Sequence, residues 1–272
     1  MDNILYKKKE ADALTHSEKN ETWRYEAEIL KSNLIIEHAK EVKSLVDIGC
    51  AWGQTLKQLV GKIPHLAGID ESLDRLQSLK ENNDKIETYQ CRSTNLILAD
   101  NSYDAVLMSH IIHEIKLFGE KGDFVKTLNE IKRVLTNIGK FIIIDHRDPG
   151  EGNVVIDAGK QKENFIKFQE RFKLREVKSE IDGDFIKLSK RDCHDFVTKI
   201  WCLDQGAENL EMNETHTVLS QEELSYDLKE NNYEIKVNIA FNPITNLMNF
   251  YNIKLVEGND WGRQLFILAE PF

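Results

Sequence analysis

The stretch at residues 44–55 limits the fold of this chain more than any other, because an apolar run ends there in a turn of small residues. Aliphatic residues between positions 45 and 48 have the character of a buried strand, and Asp47 is the acid among them. Residues 49–53 then contain two glycines and an alanine, and a helical pattern follows. In an open parallel sheet, ligands bind outside the carboxyl ends of the strands, where small residues let the backbone come close. The segment therefore predicts a ligand site in which Asp47 meets a positively charged group.

The spacing of the glycines distinguishes between ligands. A dinucleotide site requires Gly-x-Gly-x-x-Gly, so that a pyrophosphate rests on the N-terminus of the following helix. Here Ala51 and Gln54 stand at the second and third glycine positions. The spacing that fits is acid-x-Gly-x-x-x-Gly, formed by Asp47, Gly49 and Gly53. A tight strand-to-helix turn in an α/β protein is also compatible with this string.

Apolar runs and helical stretches alternate from residue 44 to residue 148. Besides the first strand, strands are predicted at 65–70, 86–91, 105–109 and 141–144, and helices at 73–80 and 124–135. Gly139 is predicted to end the second of these helices in a left-handed conformation. This alternation at short intervals predicts a parallel sheet with helices on both faces.

Residues 44–148 resemble the small-molecule type of class I S-adenosylmethionine-dependent methyltransferase domain. The resemblance rests on the acid-x-Gly-x-x-x-Gly string, on Asp-Asn-Ser-Tyr-Asp at 100–104 and on the segment at 130–142. It implies a Rossmann-like, doubly wound, mostly parallel seven-stranded sheet whose last strand is antiparallel. It also implies S-adenosylmethionine as the cofactor, a ligand that carries an ammonium and a sulfonium instead of a pyrophosphate.

The same resemblance implies which residues hold the cofactor. Asp70, at the end of the second strand, would accept the ribose hydroxyls, although an acid there also suits the N-terminus of the next helix. Residues 91–95 lack the acid that many relatives place near the adenine amino group, so backbone groups are an alternative there. The implied set is Asp47, Gly49, Cys50, Ala51 and Gly53 for the methionyl and ribose part, Asp70 with Glu71 for the ribose, Arg92 and Ser93 for the adenine, and Ser109 near the methyl group.

Three histidines are candidate catalytic residues. A hydroxyl or ammonium acceptor must lose a proton, which requires a general base, and histidine titrates near neutrality. His110 and His113 follow the fourth strand and His146 follows the fifth, all at the edge of the sheet where the acceptor belongs. Asp145 is an alternative base, and Arg147 is suited to bind an acidic acceptor bidentately. Each of these side chains also suits a purely structural hydrogen bond.

No metal site is predicted. In His110-Ile-Ile-His113-Glu114 the glutamate follows both histidines, whereas metalloproteases use His-Glu-x-x-His. The four cysteines have no Cys-x-x-Cys spacing, so they indicate neither a zinc site nor a disulfide framework. The Asn/Asp-Pro-Pro-aromatic string of nucleobase amino methyltransferases is absent, since Ser-His-Ile-Ile stands after the fourth strand.

Two segments flank the predicted core. We expect an N-terminal helical segment or lid at 1–42, the cofactor-binding core at 43–149, and the C-terminal part of the sheet at 221–272. Residues 150–220 exceed what the family needs after strand five, and they predict an inserted helical cap over the acceptor. The aromatic residues of this insertion either line an acceptor pocket or form the cap's own core.

Composition narrows the partners. The net charge of −10 disfavours nucleic acid, because binding to phosphates depends on cationic surface. No apolar run reaches membrane-spanning length, and the first residues, which include a run of three lysines at 7–9, lack a signal-peptide core. We therefore expect a cytoplasmic enzyme without membrane contact, acting on a small-molecule O or N acceptor, in an oligomeric state that the sequence leaves open. The alternatives are an RNA or protein methyltransferase and a non-catalytic partner subunit that binds S-adenosylmethionine.

Overall fold

A computed structural model describes residues 18–203 and 211–272, so the lysine run at 7–9, expected to be a solvated tail, lies outside the described residues. The described chain divides into two compact units. The core unit comprises Lys19–Asp145, Glu222–Ile239 and Leu265–Phe272, and the second unit comprises mainly His146–Gln221 and Ala240–Gln264.

The helices are α1 (Glu18–His38), α2 (Gln54–Leu59), α3 (Leu73–Asn82), α4 (Ile112–Phe118), α5 (Asp123–Val134), α6 (Lys162–Arg171), α7 (Lys190–Lys199), α8 (Gln221–Glu230) and α9 (Ile244–Phe250). The strands are β1 (Ser44–Ile48), β2 (His65–Asp70), β3 (Ile86–Gln90), β4 (Tyr103–Ser109), β5 (Leu135–His146), β6 (Asn153–Asp157), β7 (Ser179–Asp182), β8 (Phe185–Ser189), β9 (Tyr233–Pro243), β10 (Lys254–Glu257) and β11 (Gly262–Pro271).

A seven-stranded sheet forms the centre of the core unit. Its strand order is β3-β2-β1-β4-β5-β11-β9, and β1 pairs in parallel with both β2 and β4. The order reverses direction beside β1, which is the switch point at which ligands bind in such sheets. The predicted fold class, a mostly parallel seven-stranded sheet with an antiparallel last strand, is confirmed.

The central strands are buried on both faces. Residues 105–108 of β4 and 141–144 of β5 are fully shielded from solvent, as expected for parallel strands covered by helices on either side. These runs carry no polar alternation, which is why their apolar character was readable from the sequence. They hold the carboxyl ends of β1, β2, β4 and β5 at one edge of the sheet.

The second unit contains a four-stranded sheet of order β10-β6-β8-β7, in which β6 pairs antiparallel with both β8 and β10. The prediction of a helical cap therefore described only part of this segment, because residues 150–220 contain three strands besides helices α6 and α7. Along β6 and β8 every second residue is buried, a two-residue period that indicates a half-exposed strand. Each of these strands is only five residues long, so its two-residue period is a weak signal beside the helical spacing of the neighbouring aromatic segments.

The aromatic residues of α6 and α7 form a core within the second unit. The ring of Phe196 lies 5.2 Å from that of Phe165 and 5.7 Å from that of Phe168, and all three residues are fully buried. Such edge-to-face and tilted contacts are typical of aromatic clusters in protein cores. Of the two readings of these aromatics, the structure favours an internal core for this trio.

In the described part of the chain, no helix combines the length and the apolar character needed to cross a membrane.

Candidate functional site

The turn between β1 and α2 has an unusual backbone. Gly49, Ala51 and Gly53 have positive φ angles of 77°, 49° and 69°, a region that glycine enters freely and other residues seldom do. The amides of Gly49 and Cys50 both donate to the carbonyl oxygen of Ile69, at 2.7 and 2.9 Å. These bonds tie the turn to the end of β2 and fix its path at the carboxyl edge of the sheet.

The two glycines are also required by their surroundings. A Cβ atom at Gly49 would lie 2.3 Å from the side chain of Ile111, and one at Gly53 would lie 2.5 Å from that of Leu79. Cys50 is 5% exposed, and this burial raises the pKa of its thiol. Its sulfur packs against β2, only 2.6 Å from the position that a Cβ atom on Gly68 would take. Any contact of Cys50 with a ligand would therefore come from its backbone.

Asp47 is a buried carboxyl group at the end of β1. Asp47 is 2% exposed, and its Oδ1 atom has no hydrogen-bond partner among the described residues. Burial holds the pKa of Asp47 well above its usual range, and the charges of Glu28 and Asp70 raise it further while that of Lys31 lowers it. An isolated buried carboxyl is costly in its charged form, so it calls for a cation.

Helix α1 supplies charged groups to the surroundings of Asp47. Glu28 accepts hydrogen bonds from the Thr55 hydroxyl at 2.6 Å and from the Lys31 ammonium at 2.7 Å. The bond from Thr55 pins α1 to the first turn of α2, whereas Lys31 and Glu28 are neighbours on the same helix. The sequence indicated an N-terminal helix here, but not that Glu28 and Lys31 approach Asp47.

Asp70 is engaged by the protein itself. Its Oδ2 accepts the amide of Ala51 at 3.0 Å, its Oδ1 accepts the amide of Ser72 at 2.8 Å, and the Arg75 guanidinium lies 3.6 Å away. Asp70 thus links the glycine turn to the start of α3. A carboxylate has about four acceptor sites, so these bonds leave capacity for ribose hydroxyls.

The residues predicted to meet the adenine have mixed environments. Glu71 and Arg92 form an exposed pair, with Nε and Oε1 separated by 3.6 Å and side chains 51% and 61% exposed. The hydroxyl of Ser93 is hydrogen-bonded at 3.0 Å to that of Thr127 on α5. Glu71 and Arg92 are therefore accessible at the ends of β2 and β3, whereas the Ser93 hydroxyl is turned towards a helix.

His110 and His113 share one carboxylate after β4. Asp145 is fully buried; it accepts the amides of Ile112 and His113 at 2.9 and 3.2 Å, and its Oδ1 lies 2.6 Å from Nδ1 of His113. The same Oδ1 lies 3.9 Å from Nδ1 of His110, whose side chain is 23% exposed. His110 has a φ of 57°, a strained conformation often found at functional positions. Ser109, half-buried at the end of β4, immediately precedes it.

His146 belongs to the second unit. Its ring stacks on that of His216, with centroids 3.9 Å apart and planes 3° from parallel, and its centroid lies 6.0 Å from that of His194. His194 is fully buried. The sequence gives no signal for His194 or His216, because each stands among polar residues and in no recognisable motif.

The structure therefore brings most of the predicted residues to one edge of the core sheet. Ten of the implied or candidate residues lie at the end of β1, β2 or β4 or shortly after it, and Arg92 and Ser93 follow β3. His146 lies in the other unit and is described only there. Their roles towards a cofactor or an acceptor remain predictions. The sequence did not predict that the charges of Glu28 and Lys31 act on Asp47. It also did not predict that Asp145 forms hydrogen bonds to Ile112 and His113.

Comparison with known proteins identifies the domain. Residues 46–143 match the family model of the methyltransferase domain. Among curated proteins, none matches this chain significantly.

Solved structures share the fold over most of the chain. The plantazolicin methyltransferase BpumL, solved with a desmethylPZN analog and SAH, has a TM-score of 0.55 and 16% identity, with 97% of this chain and 89% of that chain covered. A putative methyltransferase from Bacillus halodurans C-125 has a TM-score of 0.53 and 12% identity, with coverage of 90% and 100%. The glycopeptide N-methyltransferase MtfA, complexed with S-adenosylmethionine, has a TM-score of 0.53 and 10% identity, with coverage of 90% and 94%.

The glycine turn after β1 and the acids at the ends of β1 and β2 lie within the segment that this domain model matches. Residues 46–143 are therefore a methyltransferase domain, and S-adenosylmethionine is the cofactor that this domain supports.

Proposed function

We propose that this enzyme transfers the methyl group of S-adenosylmethionine to an oxygen or nitrogen atom of a small-molecule acceptor. The observation that carries the donor half is the buried Asp47 carboxyl, whose Oδ1 has no hydrogen-bond partner among the described residues. A ligand that carries an ammonium and a sulfonium supplies the positive charge that such a group needs.

The donor is held, in this proposal, by the residues after β1, β2 and β3. Asp47 faces the positive charge, the backbone of Gly49, Cys50, Ala51 and Gly53 lies against the methionyl and ribose part, and Asp70 accepts the ribose hydroxyls. Glu71 lies beside Asp70, Arg92 and Ser93 border the adenine, and Ser109 lies near the methyl group. The left-handed turn supports this arrangement because it exposes backbone at the sheet edge.

The cofactor, when bound, supplies an already activated methyl group. The protein's work is then to orient the acceptor in line with that group and to exclude water, which is catalysis by proximity. A buried setting such as the end of β1 suits this work, because it contains little competing solvent.

We propose that His110 acts as the general base, with Asp145 and His113 positioning it. The side chain of His110 is the more accessible of the two histidines, at 23% against 5%. Asp145 accepts from Nδ1 of His113 at 2.6 Å, which fixes the tautomer and the orientation of that ring. The same carboxylate oxygen lies 3.9 Å from Nδ1 of His110, so its charge favours the protonated form of the proposed base. His113 and His146 remain alternative bases.

A small-molecule acceptor is favoured over RNA by the net charge of −10. BpumL and MtfA are described as acting on plantazolicin and on a glycopeptide, which makes peptide-like acceptors the second candidate. A non-catalytic binding subunit is the third.

Incubation with labelled S-adenosylmethionine and a metabolite extract, followed by mass spectrometry, tests this function. We expect a labelled small molecule, at least about tenfold less of it with His110→Ala, and unchanged labelling with His65→Ala, which alters an exposed histidine at the opposite end of a strand. Labelling confined to protein or RNA would contradict the proposed acceptor. S-adenosylhomocysteine binding without any labelled product would contradict the proposed catalysis.

A further inference from the structure

His194 is held in a defined tautomer inside the second unit. It lies within α7, is fully buried, and its Nδ1 accepts the indole N–H of Trp261 at 3.2 Å. An indole nitrogen can only donate, so Nδ1 carries a lone pair. In the neutral ring, the proton is therefore on Nε2.

The Nε2–H group of His194 is left without an acceptor. Its nitrogen is buried and has no hydrogen-bond partner among the described residues. Buried N–H groups in folded proteins are nearly always paired, and an unpaired one costs free energy. Because no described residue fills this role, the group points to an acceptor supplied by a ligand.

The charges around His194 are positive. Burial lowers its pKa to about 3, and the charges of Arg263, Lys199, Arg175 and Arg147 act in the same direction. Lys199 is paired with Glu211 at 3.0 Å, and Arg175 is paired with two aspartates at 2.7 Å. These two cations are therefore largely compensated.

Arg147 lacks such compensation. Its Nε donates to Oε1 of Gln221 at 3.3 Å and its Nη1 donates to the Gly262 carbonyl at 3.4 Å, both neutral oxygens. No ion pair joins it to a carboxylate in the described segments. Its backbone amide donates to the carbonyl oxygen of Arg263 at 3.0 Å, so the chain segments that carry these two arginines are neighbours.

Arg263 adds a buried positive charge. It is 2% exposed, and burial lowers the pKa of its guanidinium to about 10. It follows Trp261, whose indole contacts His194, by two residues. Among the nearby charges, that of Arg263 lowers the pKa of His194 the most.

We infer that Nε2–H of His194 and the guanidinium of Arg147 bind the carboxylate of a ligand within the second unit, with Arg263 adding positive potential. A planar guanidinium matches the two oxygens of a carboxylate, and one negative charge offsets the uncompensated charge of Arg147. This inference concerns a carboxylate site of the second unit alone and does not depend on the proposed function.

Calorimetric titration of the full chain at constant ionic strength tests the inference, with benzoate, its neutral analogue benzamide and inorganic phosphate as probes. We expect benzoate to bind at least about tenfold more tightly than benzamide. Arg147→Met and His194→Asn should each weaken benzoate binding about tenfold. Asparagine at 194 retains an oxygen that can accept from Trp261 but places no donor at the Nε2 position.

Lys178→Met is the matched control, because it removes one positive charge from an 81% exposed side chain of the same unit. It should leave benzoate binding unchanged. In the wild type, an independent readout is the ¹⁵N signal of the His194 Nε2–H group, which should shift when benzoate is added, so the test does not depend on the folding of a variant.

The inference is overturned if benzoate binds no better than benzamide, if phosphate binds more tightly than benzoate, or if folded Arg147→Met and His194→Asn proteins bind benzoate like the wild type. S-adenosylhomocysteine is titrated separately against each protein. Failure of that titration contradicts the proposed function, whereas its success with failed benzoate binding contradicts only the carboxylate site.

Discussion

Asp47 shows how burial prepares a side chain for a cationic ligand. Its pKa is held well above the usual range by burial, and Glu28 and Asp70 reinforce the shift. In the ligand-free protein the carboxyl group is therefore protonated at pH values where an exposed aspartate is charged. A bound ammonium or sulfonium favours the charged form and returns the pKa towards its ordinary value.

We predict that binding of S-adenosylmethionine releases a proton from Asp47. Affinity should then rise with pH until the pH exceeds the pKa of Asp47 in the free protein, and Asp47→Asn should weaken binding and remove this dependence. Calorimetry in buffers of different ionisation enthalpy measures the proton release. Asp84→Asn, an exposed aspartate on the same unit, serves as control. If the wild type releases no proton on binding S-adenosylmethionine at pH values below the pKa of Asp47 in the free protein, the role assigned to Asp47 is refuted.

The burial of His194 leads to a second prediction, which concerns how the folding stability depends on pH. Its pKa is lowered from 6.5 to about 3 by burial and by nearby cations. The unfolded chain therefore takes up a proton as the pH falls through about 6.5, while the folded protein does not, and stability is lost as the pH falls. Between pH 7 and pH 5 this one group should cost about 2 kcal/mol.

Urea unfolding at pH 7 and pH 5 measures this loss. His194→Asn should lose about 2 kcal/mol less than the wild type over that interval, whatever its stability at pH 7. An equal loss in both proteins would show that His194 titrates normally in the folded state.

The turn between β1 and α2 makes a prediction about close packing. Gly49 and Gly61 have nearly equal φ angles, 77° and 78°, but a Cβ at Gly49 would meet Ile111 at 2.3 Å, whereas one at Gly61 would meet nothing within 4 Å. Gly61→Ala should therefore cost about 1 kcal/mol from backbone strain. Gly49→Ala should cost at least about 2 kcal/mol, because overpacking adds to that strain.

Adding Ile111→Ala to Gly49→Ala separates the two contributions. Relative to Ile111→Ala alone, the glycine substitution should then cost only about as much as Gly61→Ala, about 1 kcal/mol. Thermal or urea unfolding of the four variants provides the comparison. Equal costs for Gly49→Ala and Gly61→Ala would mean that Ile111 does not pack against the turn.

The sequence located the strands that are buried on both faces, and also β3, but it missed the half-exposed strands β6 and β8 of the second unit. Strands β1, β2 and β4 were located to within two residues because their apolar runs are continuous. The predicted helix stop at Gly139 was wrong, since β5 already begins at Leu135 and Gly139 is not in a left-handed conformation. There a Cβ would lie 2.8 Å from the Leu135 side chain, so close packing explains this glycine better than a cap.

Part of the candidate site could be predicted from the sequence because it lies beside strands that were located correctly. Asp47, Gly49 and Asp70 follow strands whose position was clear, so their meeting at one edge followed from parallel topology. The approach of Glu28 to Asp47 and the shared carboxylate of His110 and His113 depend on packing between elements far apart in the chain. Local residue patterns do not specify such contacts.

The charge of the entire chain predicts how it meets macromolecules. With a net charge of −10 it should not retard RNA in a mobility assay even at low salt, because binding to nucleic acid needs cationic surface that releases counterions. The protein used must bind S-adenosylhomocysteine, which shows that it is folded. Salt-sensitive RNA binding by such a sample would favour the RNA methyltransferase alternative.

Donor binding beside Asp47 is the proposition on which the acceptor chemistry depends. Side-by-side calorimetric titration of the wild type and Asp47→Asn with S-adenosylhomocysteine and with NAD tests it directly. We predict one site for S-adenosylhomocysteine in the wild type, weaker binding in the variant and no heat from NAD. Binding of NAD, or S-adenosylhomocysteine binding that Asp47→Asn leaves unchanged, would contradict this placement of the donor.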